Sequence, residues 1–131
     1  MTALEVNTRK KVEMIDVTTD VRRIVRESGV EKGLVLVSVP HTTAAVTINE
    51  NADPDVVRDM LMELDRIVPI EDDYRHGEGN SAAHIKSTLV GASETLPVEN
   101  GKPALGTWQG IYFCEFDGPR RRRLLVQVVG K

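Results

Sequence analysis

The chain has 131 residues, 40% of them hydrophobic, and sets 17 Lys plus Arg against 20 Asp plus Glu for a formal net charge of −3 with neutral histidines. That size suits one compact domain over residues 1–131, with a mainly aliphatic core because there are only two Phe, two Tyr and one Trp. The mild acidity gives no reason to expect a nucleic-acid partner, the lone Cys114 excludes an intrachain disulfide framework, and no apolar run reaches membrane-spanning length, so a reducing cytoplasmic setting without membrane contact is expected.

From the start, Leu4 to Met14 mixes polar and β-branched residues and predicts one or two strands. Thr18-Thr19-Asp20 opens a helix carrying Val21, Ile24 and Val25, with Gly29 as its stop. Leu34 to Val39 reads as a strand whose ladder ends or bulges at Pro40, presenting His41 from the strand end, and Ala45 to Ile48 as another extended segment. Asp53 caps a helix whose first position is Pro54; Val57, Met60, Leu61, Leu64 and Val68 return to one face, and Pro69 closes it. The acidic, glycine-containing stretch Glu71–Asn80 predicts a loop, and Ala82–Leu89 a short helix bearing His84. Thr95–Val98, the Asn100-Gly101 turn, Trp108–Phe116, Gly118-Pro119 and Leu124–Val129 then give strands and turns, with Trp108 expected as a partly buried sheet anchor. The sum is an α+β protein: a mixed or antiparallel sheet core with two or three helices. A chain this short has little material to cover its sheet edges, which favours self-association.

All three histidines fall in two polar signatures, Pro40-His41-Thr42-Thr43-Ala44-Ala45-Val46 and Tyr74-Arg75-His76-Gly77-Glu78-Gly79-Asn80-Ser81-Ala82-Ala83-His84. Neutral imidazole ligates metals and exchanges protons near neutral pH, so His41, His76 and His84 are candidate ligands of a divalent ion. Zinc suits an imidazole-dominated site and magnesium an oxygen-rich phosphate complex, and the residues do not choose between them. Glu50 or Glu78 can orient the rings, complete coordination or act as a base. Thr42 and Thr43 suit an oxygen-rich ligand, or equally the backbone groups where a strand ends. Gln109 can satisfy a turn or reach the pocket. Nucleotide-binding glycine motifs, a metalloprotease His-Glu-x-x-His and a serine-hydrolase elbow are all absent, and Cys114 reads as a buried strand thiol. Arg120-Arg121-Arg122-Arg123 is more readily a solvated turn and strand start than one patch, because alternate side chains of an extended segment point oppositely.

Beyond these signatures, Asn49-Glu50-Asn51, Ala83-His84-Ile85-Lys86, Gly106-Thr107-Trp108-Gln109 and Glu115-Phe116-Asp117-Gly118-Pro119-Arg120 complete a set, from about Gly33 to Gly130, that resembles the YjbQ-like family of small proteins. Many of that family are described as of unknown function and some as secondary thiamine-phosphate synthases. The resemblance implies an α+β fold that trimerises, with polar pockets near subunit boundaries, and a site of His41, His76 and His84 supported by Asn49, Glu50, Asn80, Lys86 and Gln109. It further implies transfer of an aminopyrimidine group from its diphosphate to thiazole phosphate. In that reading a divalent cation offsets the leaving charge, Lys86 with Arg75 or Arg120 binds phosphate oxygens, and Asn49, Asn80 and Gln109 orient the phosphorylated substrate. A metal-dependent hydrolase and a non-enzymatic metabolite-binding or damage-protection protein are the alternative functions.

Overall fold

The computed structural model describes residues 1–131. In chain order these form β1 (Thr2–Asn7), β2 (Glu13–Asp16), α1 (Thr18–Ser28), β3 (Lys32–Ser38), β4 (Ala44–Glu50), α2 (Pro54–Ile67), α3 (Ser81–Val90), β5 (Ser93–Glu99), β6 (Lys102–Pro103), β7 (Gln109–Glu115) and β8 (Arg121–Gly130). The strands make a five-stranded sheet in the order β1-β8-β3-β5-β6 and a three-stranded sheet in the order β2-β7-β4. Every pairing is antiparallel.

Strand periodicity decides which side chains meet between the sheets. Val35 and Val37 of β3, Leu124 and Val126 of β8 and Leu96 and Val98 of β5 face Ala44 and Val46 of β4 and Ile111 and Phe113 of β7, and Val21, Ile24 and Val25 of α1 close this core. The intervening residues Ala45, Tyr112 and Cys114 turn to the other face of the small sheet, where Ala83 of α3 and Val57 and Leu64 of α2 cover them. On the outer face of the large sheet Leu34 and Val129 sit opposite each other and stay about half exposed, with Leu36 beside them.

Local chemistry sets the boundaries. The Asp16 carboxylate accepts from the Thr18 N–H and hydroxyl at the start of α1, so the capping side chain precedes the Thr-Thr-Asp run, and Gly29 ends the helix at φ 74°. Asp53 accepts from Asp55 N–H with Pro54 in the first turn of α2. Although its apolar stripe is regular, α2 has no fully buried residue. Trp108 departs from expectation. It lies in the turn before β7 with 63% of its surface exposed, outside the ladder that was to bury it.

Candidate functional site

The inter-sheet layer turns polar at one end. Arg122 shares a strand face with Leu124 and Val126, and Glu115 with Phe113 and Ile111, so both point between the sheets where the aliphatic core stops. Glu115 is fully buried and Arg122 only 4% exposed. The guanidinium donates from Nε to Glu115 Oε1 at 2.8 Å and from Nη2 to Oε2 at 2.5 Å, a two-pronged pair. Nη2 also reaches Thr43 Oγ1 at 2.8 Å, and Thr8 donates its hydroxyl to Glu115 Oε1 at 2.7 Å. Burial alone pushes the Glu115 carboxyl up, but bonds from Arg122, the Asp117 N–H and Thr8 outweigh it and hold the group below the usual carboxylate range.

A second buried carboxylate adjoins it. Asp117 accepts from Lys11, from Asn80 Nδ2 at 2.8 Å and from Arg120 Nη2 at 2.8 Å. These donors likewise overcome the upward push of burial and hold Asp117 down at about 2. Two buried anions thus fix two arginines of what the sequence presents as one basic run.

Above this base opens a cleft of about 450 Å³ with ten lining residues, polar apart from Pro40. Its floor is Arg120, Arg122, Thr43 and Asn80; Pro40, His41 and Thr42 form the strand-end wall, and His76, Glu78 and His84 the facing wall. The three histidines therefore share one cleft, as the two signatures suggest. The His76 and His84 rings meet edge to face with centroids 5.5 Å apart, and together they also border an adjoining cleft of about 540 Å³ that contains Tyr74 and Arg75. Gly79, at φ 74°, bends the loop so that its N–H returns to His76 O at 3.2 Å.

His41 is held differently. Its Nε2 accepts from the backbone N–H of Arg123 at 3.0 Å, which leaves the proton of the neutral ring on Nδ1. Burial, then the Arg122 and Arg123 cations, lower its pKa and favour that neutral donor form. An imidazole bonded in this way has no lone pair left for a metal. No three His, Cys, Asp or Glu side chains of the chain form a ready-made ion site.

Several candidates from the sequence lie elsewhere. Asn49 pairs with Gly110 and Glu50 with Gln109, whereas Ala44, at the cleft end of the same strand, pairs with Glu115. The six intervening steps from Ala44 to Glu50 span roughly 20 Å at the rise of a strand. Gln109 Oε1 accepts from Gly106 N–H and serves the turn. Lys86 is two residues after His84 on α3, about 200° around the helix, and cannot share its face. It is instead buried, ion-paired with Asp65 of α2 and 5.8 Å from the Phe116 ring centroid. Cys114 is buried, and burial pushes its thiol up to about 12, which fits an inert strand residue.

Sequence reasoning missed Arg122, Glu115, Asp117 and Lys11. For Arg122 the signal was present, because continuing the inward alternation of Val126 and Leu124 by one step reaches it. Glu115 carried the same signal, one step beyond Ile111 and Phe113, whereas pairing across more than a hundred residues, as Lys11 does with Asp117, has no local pattern.

Comparison with known proteins agrees with the architecture. The chain is 55% identical over 128 residues to UPF0047 protein YugU of Bacillus subtilis, covering 97% of each, and 50% identical to a UPF0047 protein of Methanocaldococcus jannaschii, covering 96% of this chain and 91% of that one. A crystal structure of an uncharacterized conserved protein from Clostridium acetobutylicum superposes with a TM-score of 0.97 at 53% identity, over 98% of this chain and all of the other. A protein of unknown function from Sulfolobus solfataricus superposes at 0.96 with 34% identity, over 99% of this chain and 96% of that one. The family model described as UPF0047 protein YjbQ-like matches residues 2–131, and the chain belongs to the YjbQ-like UPF0047 family.

Proposed function

We propose that the cleft binds a phosphorylated small molecule and that the protein is a transferase of the thiamine-phosphate synthase type. The observation that carries this reading is the lining: two arginines, two threonines, an asparagine and three imidazoles, with Glu78 the one carboxylate and Pro40 the one apolar side chain, a set that matches phosphate oxygens better than a hydrocarbon surface. In the reaction, the thiazole nitrogen attacks the methylene carbon of the aminopyrimidine, forming a C–N bond, while the C–O bond to the diphosphate breaks and pyrophosphate leaves with its electron pair. The protein then needs fixed cationic donors at the leaving group more than a strong nucleophile. Arg120, Arg122, Thr42 and the Nδ1–H of His41 serve that need, with His84 and His76 at the open side. Metal chemistry at the histidines forms no part of the scheme. The outlying position of Lys86 makes it a support for α3, and it favours a plain binding protein as the second reading.

Asn49, Glu50 and Gln109 serve such a site only from a neighbouring copy. The half-exposed Leu34, Leu36 and Val129 on the large sheet support assembly, in keeping with a trimer. The test supplies both phosphorylated precursors and follows thiamine phosphate and pyrophosphate together, using wild type, His84→Ala, Glu50→Gln and a mixture of the two variants, with light scattering of each. Coupled product that is lost in each variant and partly recovered on mixing is expected from a shared site in a trimer. Precursor binding without turnover establishes the binding protein, and a persistent monomer removes the neighbouring-copy role.

A further inference from the structure

We infer that Arg122 is the anchoring oxyanion donor of the cleft and that Glu115 is its positioning residue, so that the ligand's phosphoryl group meets a pre-set guanidinium rather than a mobile surface arginine. The inference rests on reading the cleft as a site for a phosphorylated ligand, and it assigns the residue that holds the phosphoryl group.

Arg122 bonds through Nε and Nη2 to Glu115 and through Nη2 to Thr43, and Nη1 has no protein acceptor. The only side-chain polar atoms sealed inside the protein without a partner are Asn80 Oδ1 and Ser87 Oγ. Nη1 is therefore not sealed, and it opens onto the cleft that Arg122 lines. A side chain 96% removed from solvent, planar and tied at two nitrogens, has little rotamer freedom left, so an oxyanion reaching Nη1 does not have to order it. Arg120 contrasts with it: its Nε and Nη2 are tied to Asp117, but its side chain is about half exposed. The Nδ1–H of His41 supplies a second fixed donor, because the Arg123 N–H occupies Nε2. Glu115 and Asp117 lie beneath the arginines, so they orient the guanidinium groups without lining the cleft themselves.

The test is calorimetric titration of the full-length protein with inorganic phosphate and with pyrophosphate, in buffer containing a chelator. Wild type is expected to bind pyrophosphate. Arg122→Lys, which keeps the charge but loses the planar fork, weakens binding by about tenfold or more, and Arg120→Lys by about threefold or less. The single change removes a partner from a buried carboxylate, so the double variant Glu115→Gln/Arg122→Gln provides the control. It removes both charges together, so that no unpaired ion is left in the core, keeps a cooperative thermal transition and binds neither anion. Nitrogen NMR of wild type adds a direct signature, a shift of the Arg122 guanidinium resonances on pyrophosphate addition that exceeds the shift of Arg120. Wild-type affinity in Arg122→Lys, or a larger loss in Arg120→Lys, overturns the assignment of the anchor, as does failure of wild type to bind either anion. Arg122-dependent anion binding without thiamine-phosphate synthesis leaves the assignment standing and removes the transferase reading.

Discussion

The two sides of the cleft are built on different physical terms. Its floor is anchored from strands: Arg122 on β8 and, beneath it, Glu115 on β7 are closed in by both sheets, and apart from the bond that Glu115 accepts from the Asp117 N–H, each side-chain hydrogen bond they make spans seven residues or more. The facing wall is a loop and a helix, where His76 and Glu78 are exposed and His84 is only partly covered. A buried charged pair is costly to disturb and keeps its geometry, whereas a loop can adjust at little cost. The floor therefore sets what kind of group is accepted and the wall adapts to the rest of the ligand.

Breaking the floor has the largest expected effect. Arg122→Ala strands the Glu115 carboxylate in the core and lowers unfolding free energy by about 3–5 kcal/mol, to be read from urea denaturation at neutral pH. A loss under about 1 kcal/mol means that water reaches Glu115 and that the floor is no more rigid than the wall.

Acid titration sharpens the same contrast. Asp117 sits at about 2 in the folded chain against an ordinary 3.8, so the unfolded state binds more protons between those values. The stabilisation is complete above pH 3.8 and disappears as pH falls towards 2, amounting to roughly 2 kcal/mol. Denaturation at pH 5 and at pH 2.5 should show a steep loss in wild type that Asp117→Asn flattens. Parallel pH curves for the two proteins contradict the role given to Lys11, Asn80 and Arg120.

The smallest effect is expected at the wall. His76→Ala removes an exposed ring with no hydrogen bond in the folded chain, so stability changes by no more than about 0.5 kcal/mol while pyrophosphate affinity falls. If the thermal midpoint drops as far as it does for Arg122→Ala, the loop is part of the framework and the distinction between the sides collapses.

Much of the fold was readable because its signals are local. Asp53-Pro54 before an apolar stripe, Gly29 after another and Asn100-Gly101 between two β-rich runs each act within a few residues, and each marks an element boundary found here. Trp108 was misread because aromatic character says nothing about whether a turn carries the ring away from the sheet. The site was only half legible. His41, His76 and His84 reach one cleft, but Lys86 and Glu50 matched the same motif set and lie apart from it, one by helix phase and the other by strand length.

The sequence by itself determined the elements, their apolar faces and the concentration of imidazoles, because periodicity and turn chemistry depend on near neighbours along the chain. Only the tertiary structure decided that Arg122 is tied to Glu115 and Thr43 at the base of the cleft, and that Lys86 supports a helix. Those outcomes depend on which side chains from Thr8, Thr43, Asp65 and Glu115 arrive opposite them, and chain segments far apart in sequence meet only when the sheets close.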